Sequence, residues 1–96
     1  MNRDNYAIIL ELICRMNNID ENELYKLMKN KESKYLIILL MKKYECLDYN
    51  RINKDLNYTS RRAIKYNENK AEEKLLISYD FRKKFFELED IIDNIG

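Results

Sequence analysis

With 96 residues, 46% of them hydrophobic, the chain is long enough for one helical domain (1–96) around one core, and 18 basic against 17 acidic side chains leave a net charge of +1. There is no proline and the single glycine is the terminal Gly96, so nothing breaks a helix from within and no Asn-Gly or Asp-Gly turn closes a β-hairpin; an all-α, compact bundle of about six helices is expected. Without histidine, a glycine-rich loop or a C-x-x-C pair, the chain is expected to be no enzyme and to use no metal, cofactor or small-molecule substrate.

Asp4 or Asn5 is expected to cap a first helix through about Met16, with Ala7, Ile8, Leu12 and Met16 as its apolar stripe and Asn17 and Asn18 at its end. Asp20 caps a second helix, with Glu23 three residues later in capping-box spacing and Leu24, Leu27 and Met28 facing inward. Ser33 starts a third. Its 35–41 run is apolar on nearly every side, the mark of a central helix, and Lys42 and Lys43 suit the negative end of its dipole. Asp48 caps a short fourth helix over 49–56, with Ile52 and Leu56 on one side. Asn57 and Tyr58 make the next turn, where an asparagine tolerates a left-handed conformation. Ser60 or Thr59 caps a fifth helix to about Ile77, with Ile64, Ala71 and Leu75 inside. Asp80 caps the last, whose apolar set is Phe81, Phe85, Leu88, Ile91, Ile92 and Ile95.

The near-neutral total hides a segregation. Residues 1–23 carry a net −3, residues 24–70 a net +7, and residues 71–96 a net −3. A neutral protein with a cationic centre can offer one positive face to a polyanion. The fourth and fifth helices and the turn between them, about 48–77, have the pattern of a helix-turn-helix, whose second helix enters a nucleic-acid groove. Arg61 and Arg62 fall in the first turn of that helix, Lys65 follows them by four and three residues, and Asn69 extends the face by another turn. An arginine here can bond the O6 and N7 of guanine or grip a phosphate; Asn69 can pair with adenine; Ser60 can cap the helix and meet a phosphate at its N-terminus. Two cations at a helix N-terminus oppose its dipole and hint at an anionic partner. The competing reading is that Arg61 and Arg62 pair with Glu68, Glu72 or Asp55, and that the lysines are ordinary solvated positions.

Cys14 and Cys46 read as buried free thiols. The 35–41 run is far shorter than the roughly 20 residues that span a bilayer, and no signal peptide is evident, so a cytoplasmic protein without membrane contact is expected. Tyr58 and Tyr66 flank the basic cluster and either stack on the nucleic acid or, the commoner role, fill the core. Glu72 with Glu73, and Glu89 with Asp90, read as solvated surface.

Ile19 and Leu24, the four lysines 26, 29, 31 and 34, and the series Leu40, Lys42, Tyr44, Leu47, Asp48, Ile52, Leu56, Ile64 and Lys70 resemble the C-terminal DNA-binding domain of the bacterial replication initiator DnaA. Asp80, Phe81 and Arg82 resemble its tail. The resemblance implies a Trp-repressor-like helix-turn-helix and double-stranded DNA as partner, with Lys26, Lys29, Lys31 and Lys34 clasping backbone phosphates or approaching an adjacent minor groove. Lys54 completes the candidate DNA-binding set. The family's Gly-Gly-Arg-Asp-His-(Ser or Thr)-Thr-Val stands here as Asn57, Tyr58, Thr59, Ser60, Arg61, Arg62, Ala63 and Ile64, so its sequence preference is not carried over. These 96 residues hold no ATPase domain, so this chain alone is not expected to act as a full initiator. The expectation is a stand-alone regulator of transcription or replication, dimeric or with a second DNA contact because one such module binds weakly. The alternative is a protein-interaction adaptor or inhibitor on the same scaffold, working through the last helix with Phe81, Phe85 and Phe86.

Overall fold

Seven consecutive apolar residues cannot keep one side wet, and they form the axis of the fold. In the computed structural model, which describes residues 4–57 and 60–95, this run lies in α2 (Lys31–Lys43), where Leu36, Ile37, Ile38, Leu40 and Met41 are all fully buried. Around it stand α1 (Asn5–Met16), a 3₁₀ segment (Glu21–Lys29), α3 (Tyr49–Leu56), α4 (Arg61–Ile77) and α5 (Tyr79–Asp93), with no strand among the described residues. Helices α1, α4 and α5 and the 3₁₀ segment pack on α2, whereas α3 leans on the 3₁₀ segment. One core joins them all, from Tyr6 and Ile9 through Leu27, Ile52, Leu56 and Ile64 to Phe81 and Ile92. No described helix is long and apolar enough to cross a membrane.

The chain turns its corners without glycine. Asn18, Glu45 and Asn57 all take left-handed backbone, with φ of 53°, 54° and 56°. At the ends of α1 and α2 this closes a Schellman pair: the Ile19 and Cys46 amides donate to the Cys14 and Met41 carbonyls, both at 2.9 Å. Between α4 and α5 a single residue suffices. The Ser78 amide donates to the Lys74 carbonyl at 2.9 Å, while its hydroxyl accepts from the Phe81 amide at 3.2 Å, ending one helix and starting the next. The Arg82 guanidinium reinforces the corner by donating to the Leu75 and Leu76 carbonyls at 3.0 and 3.1 Å.

Several local expectations are corrected. The inward face of α1 is Tyr6, Ile9, Leu10, Ile13 and Cys14, while Ala7 and Met16 are exposed and Ile8 and Leu12 half-buried. The second helix is 3₁₀ rather than α. Asp20 accepts from the Asn22 amide, Glu23 departs to φ −117°, ψ 31°, and the Glu23 carboxylate pairs with Lys26 instead of returning to the cap. Asn30 caps α2, its side chain accepting from the Ser33 amide at 3.1 Å. Ser33 is buried in the first turn, where its hydroxyl accepts from Asn17 at 3.0 Å and so ties α1 to α2. Ser78 rather than Asp80 caps α5, and Ile91 and Ile95 lie outside the core. Cys14 is buried and Cys46 half-buried, and both thiols are free.

Candidate nucleic-acid interface

The buried side of α4 fixes what its outer side can present. Ile64, Glu68 and Ala71, at intervals of four and three residues, are buried against the core, so the face carrying residues 61, 62, 65, 66 and 69 is turned to solvent. Ser60 sets the start of the helix, its hydroxyl accepting from the Ala63 amide at 3.2 Å. The first turn contains no acidic residue to complement the dipole. Tyr58 and the alternative cap Thr59 lie outside the described residues.

Arg61, Arg62, Lys65, Tyr66 and Asn69 line one shallow concave surface, and Tyr49, the first residue of α3, closes its side. The Arg61 guanidinium lies 4.9 Å from the centre of the Tyr49 ring, so the aromatic face holds the cation without neutralising it. Tyr66 is 61% exposed, which excludes the core role weighed for it. Tyr49 carried no sequence signal, because its contact with Arg61 spans the turn between two helices.

The acids expected to neutralise the arginines are engaged elsewhere. Lys42 reaches from α2 to Glu68 at 2.7 Å and Glu72 at 2.6 Å, and Asp55 accepts the Tyr6 hydroxyl at 2.7 Å. Among the described residues Arg61 and Arg62 form no ion pair. Glu72 and Glu89 are therefore not free surface acids: Glu72 is bonded to Lys42, and Glu89 is buried and paired with Lys43.

Glu68 lies directly beneath the cationic face. Burial alone would raise its carboxyl, but the hydrogen bond and charge of Lys42, with Lys65 beside them, outweigh that and hold it below the usual carboxylate range. Its second oxygen, Oε2, has no hydrogen-bond donor and stands at ion-pair separation, 3.5 Å, from the Lys65 ammonium. Lys65 is thus tethered loosely over the surface it shares with Arg61 and Arg62.

The remaining candidates are not drawn into this surface. Lys26 is paired with Glu23; Lys29, Lys31 and Lys54 are exposed and Lys34 is half-buried, and none of the last four makes an ion pair among the described residues. On α3, Arg51 is committed to structure: it donates to Asp4 at 2.8 and 3.3 Å and stacks 4.0 Å from the Tyr6 ring centre.

Against protein-family models, curated proteins and solved structures, the chain finds no match.

Proposed function

We propose that this chain is a cytoplasmic, double-stranded DNA-binding protein in which α3 and α4 act as a helix-turn-helix, with a scaffold similar to the C-terminal domain of DnaA and a regulatory role in transcription or replication. The first turns of α4 enter the major groove. The observation that carries this reading is the pair of arginines that, among the described residues, have no carboxylate partner at the positive end of α4, while Glu68, Glu72 and Asp55 serve other residues. Such an arrangement is unfavourable by itself and is relieved by an anion. Arg61, held against Tyr49, is pre-oriented to read guanine or a phosphate; Arg62 and Lys65 take neighbouring phosphates, and Asn69 reaches bases one turn further on.

The test is fluorescence anisotropy on random-sequence duplexes at low salt, with Arg61→Ala and Arg62→Ala compared with the unaltered chain. Each substitution is expected to weaken binding by about fivefold to a hundredfold, the range of one lost phosphate or bidentate base contact. Equal affinities for all three proteins overturn the proposal.

A second reading, a protein-interaction adaptor or inhibitor, is favoured by one observation: Phe86 is 55% exposed on α5. It predicts that neither arginine substitution alters binding to the partner.

A further inference from the structure

Helix α5 buries one face and leaves two aromatic rings exposed among charges on the other. Phe81, Phe85, Leu88 and Ile92 are buried against the core. On the opposite side Tyr79, Lys83, Phe86 and Asp90 follow one another at intervals of four, three and four residues, which makes a single outward stripe. They border a shallow concave surface together with Arg82 and Glu87. Tyr79 is 68% exposed and Phe86 55%, and at the α4–α5 corner Leu76 and Ile77 are 79% and 77% exposed. Exposed apolar side chains grouped in this way mark a surface that meets another protein. The Phe86 ring stands beside that of Phe85, their centres 5.8 Å apart.

The charges on this stripe identify the partner. Arg82 and Lys83 precede Phe86; Glu87 and Asp90 follow it. Lys83 and Glu87 are one turn apart, yet among the described residues neither makes an ion pair. Laid antiparallel on a copy of itself, the stripe brings each basic half onto an acidic half, with the phenylalanine at the middle. Laid parallel, it would set like charges opposite each other. A surface that is its own complement under reversal is what a twofold interface requires, since the same patch serves both subunits.

We propose that the outer stripe of α5 pairs antiparallel with the same stripe of a second copy of this chain, Phe86 stacking on Phe86 at the twofold axis and Lys83 of each copy meeting Asp90 of the other. This stands apart from the DNA reading. Ile77, at the corner, and Arg61 lie at opposite ends of α4, sixteen residues and roughly 24 Å apart along the helix axis, and the paired surface does not include the cationic face.

The experiment is sedimentation velocity and light scattering on the full chain without DNA, from micromolar to millimolar concentration. The unaltered protein is expected to move from monomer to dimer over this range. Lys83→Asp or Asp90→Lys alone sets like charges across both symmetry-related contacts and weakens self-association by about tenfold or more. An equimolar mixture of the two single variants restores both contacts and forms a heterodimer, and the double variant recovers the homodimer. Both substituted positions, Lys83 and Asp90, are exposed, and circular dichroism on each variant establishes that it is folded. A chain that stays monomeric at millimolar concentration overturns the proposal and leaves the face to a different protein. So does a dimer indifferent to these charges, or a mixture no more associated than its components.

Discussion

Glu68 is where the interior and the cationic face meet. Its carboxylate is buried, yet stays ionised because Lys42 holds one oxygen at 2.7 Å and Lys65 stands 3.5 Å from the other. A charge below the surface in this way tethers two helices, α2 and α4, and costs much if its partner is lost. The folded-state carboxyl is held below the 4.5 of an ordinary glutamate, so the stability it contributes is fully present above that value and is lost as the pH falls through the lower folded value. Asp4 has the same sign, because the hydrogen bond from Arg51 lowers its carboxyl, so removing Glu68 cannot abolish acid sensitivity altogether. Glu68→Gln is expected to lower stability by roughly 1–3 kcal/mol at pH 7 and to lose less than the unaltered protein between pH 7 and about 3.5. Urea midpoints at both pH values measure this. Parallel losses in the two proteins would show that the Lys42 pair does not stabilise the fold.

At the scale of the element, the helices end by means that cost stability. Glu45 adopts the left-handed conformation after α2, a position where glycine has no penalty and a side chain with a Cβ loses roughly 1–2 kcal/mol. Glu45 is exposed, so little else is lost with its side chain. Glu45→Gly should therefore raise the melting temperature by a few degrees, the wider freedom of glycine in the unfolded chain offsetting about 0.5–1 kcal/mol of the gain. A lower melting temperature, followed by circular dichroism, would count against this account of the α2 end. The same scale shows what the sequence could and could not convey. The central place of α2 was legible because an apolar run of that length leaves no choice of face. In α1 apolar residues stand at nearly every position from Tyr6 to Cys14, so periodicity does not select between Ile9 with Ile13 and Ile8 with Leu12. The α5 cap was misassigned to Asp80 because both Ser78 and Asp80 are good caps, and only the corner with α4 decides between them. The grouping of Arg61, Arg62, Lys65 and Asn69 was readable from helical spacing alone. The role of Tyr49 was not, nor was the engagement of Glu68 and Glu72 by Lys42, because these contacts join different helices.

Across the whole molecule, charge is segregated along the chain. Acidic segments on either side bring the total to +1, while residues 24–70 carry +7. Much of that surplus is already spent inside the protein: Lys26, Lys42, Lys43, Arg51 and Lys70 are in ion pairs. What remains without ion pairs among the described residues is Arg61 and Arg62 on α4, and Lys29, Lys31, Lys34 and Lys54 elsewhere. If the α4 face alone meets DNA, three phosphates give a slope of log affinity against log salt of about −3, from roughly −0.9 per phosphate. If Lys29, Lys31 and Lys34 also clasp the backbone, the slope steepens to about −5. The second value is the expected one, since these three lysines follow one another from the end of the 3₁₀ segment into the first turn of α2, and none of them makes an ion pair among the described residues. Replacing all three by alanine should return the slope to about −3, weakening binding at every sequence by a similar factor, because phosphates carry no sequence information. A slope unchanged by that replacement would confine the contact to α4 and leave the lysines as solvated surface, whereas a slope near zero in the unaltered protein would remove the polyanion from the reading altogether.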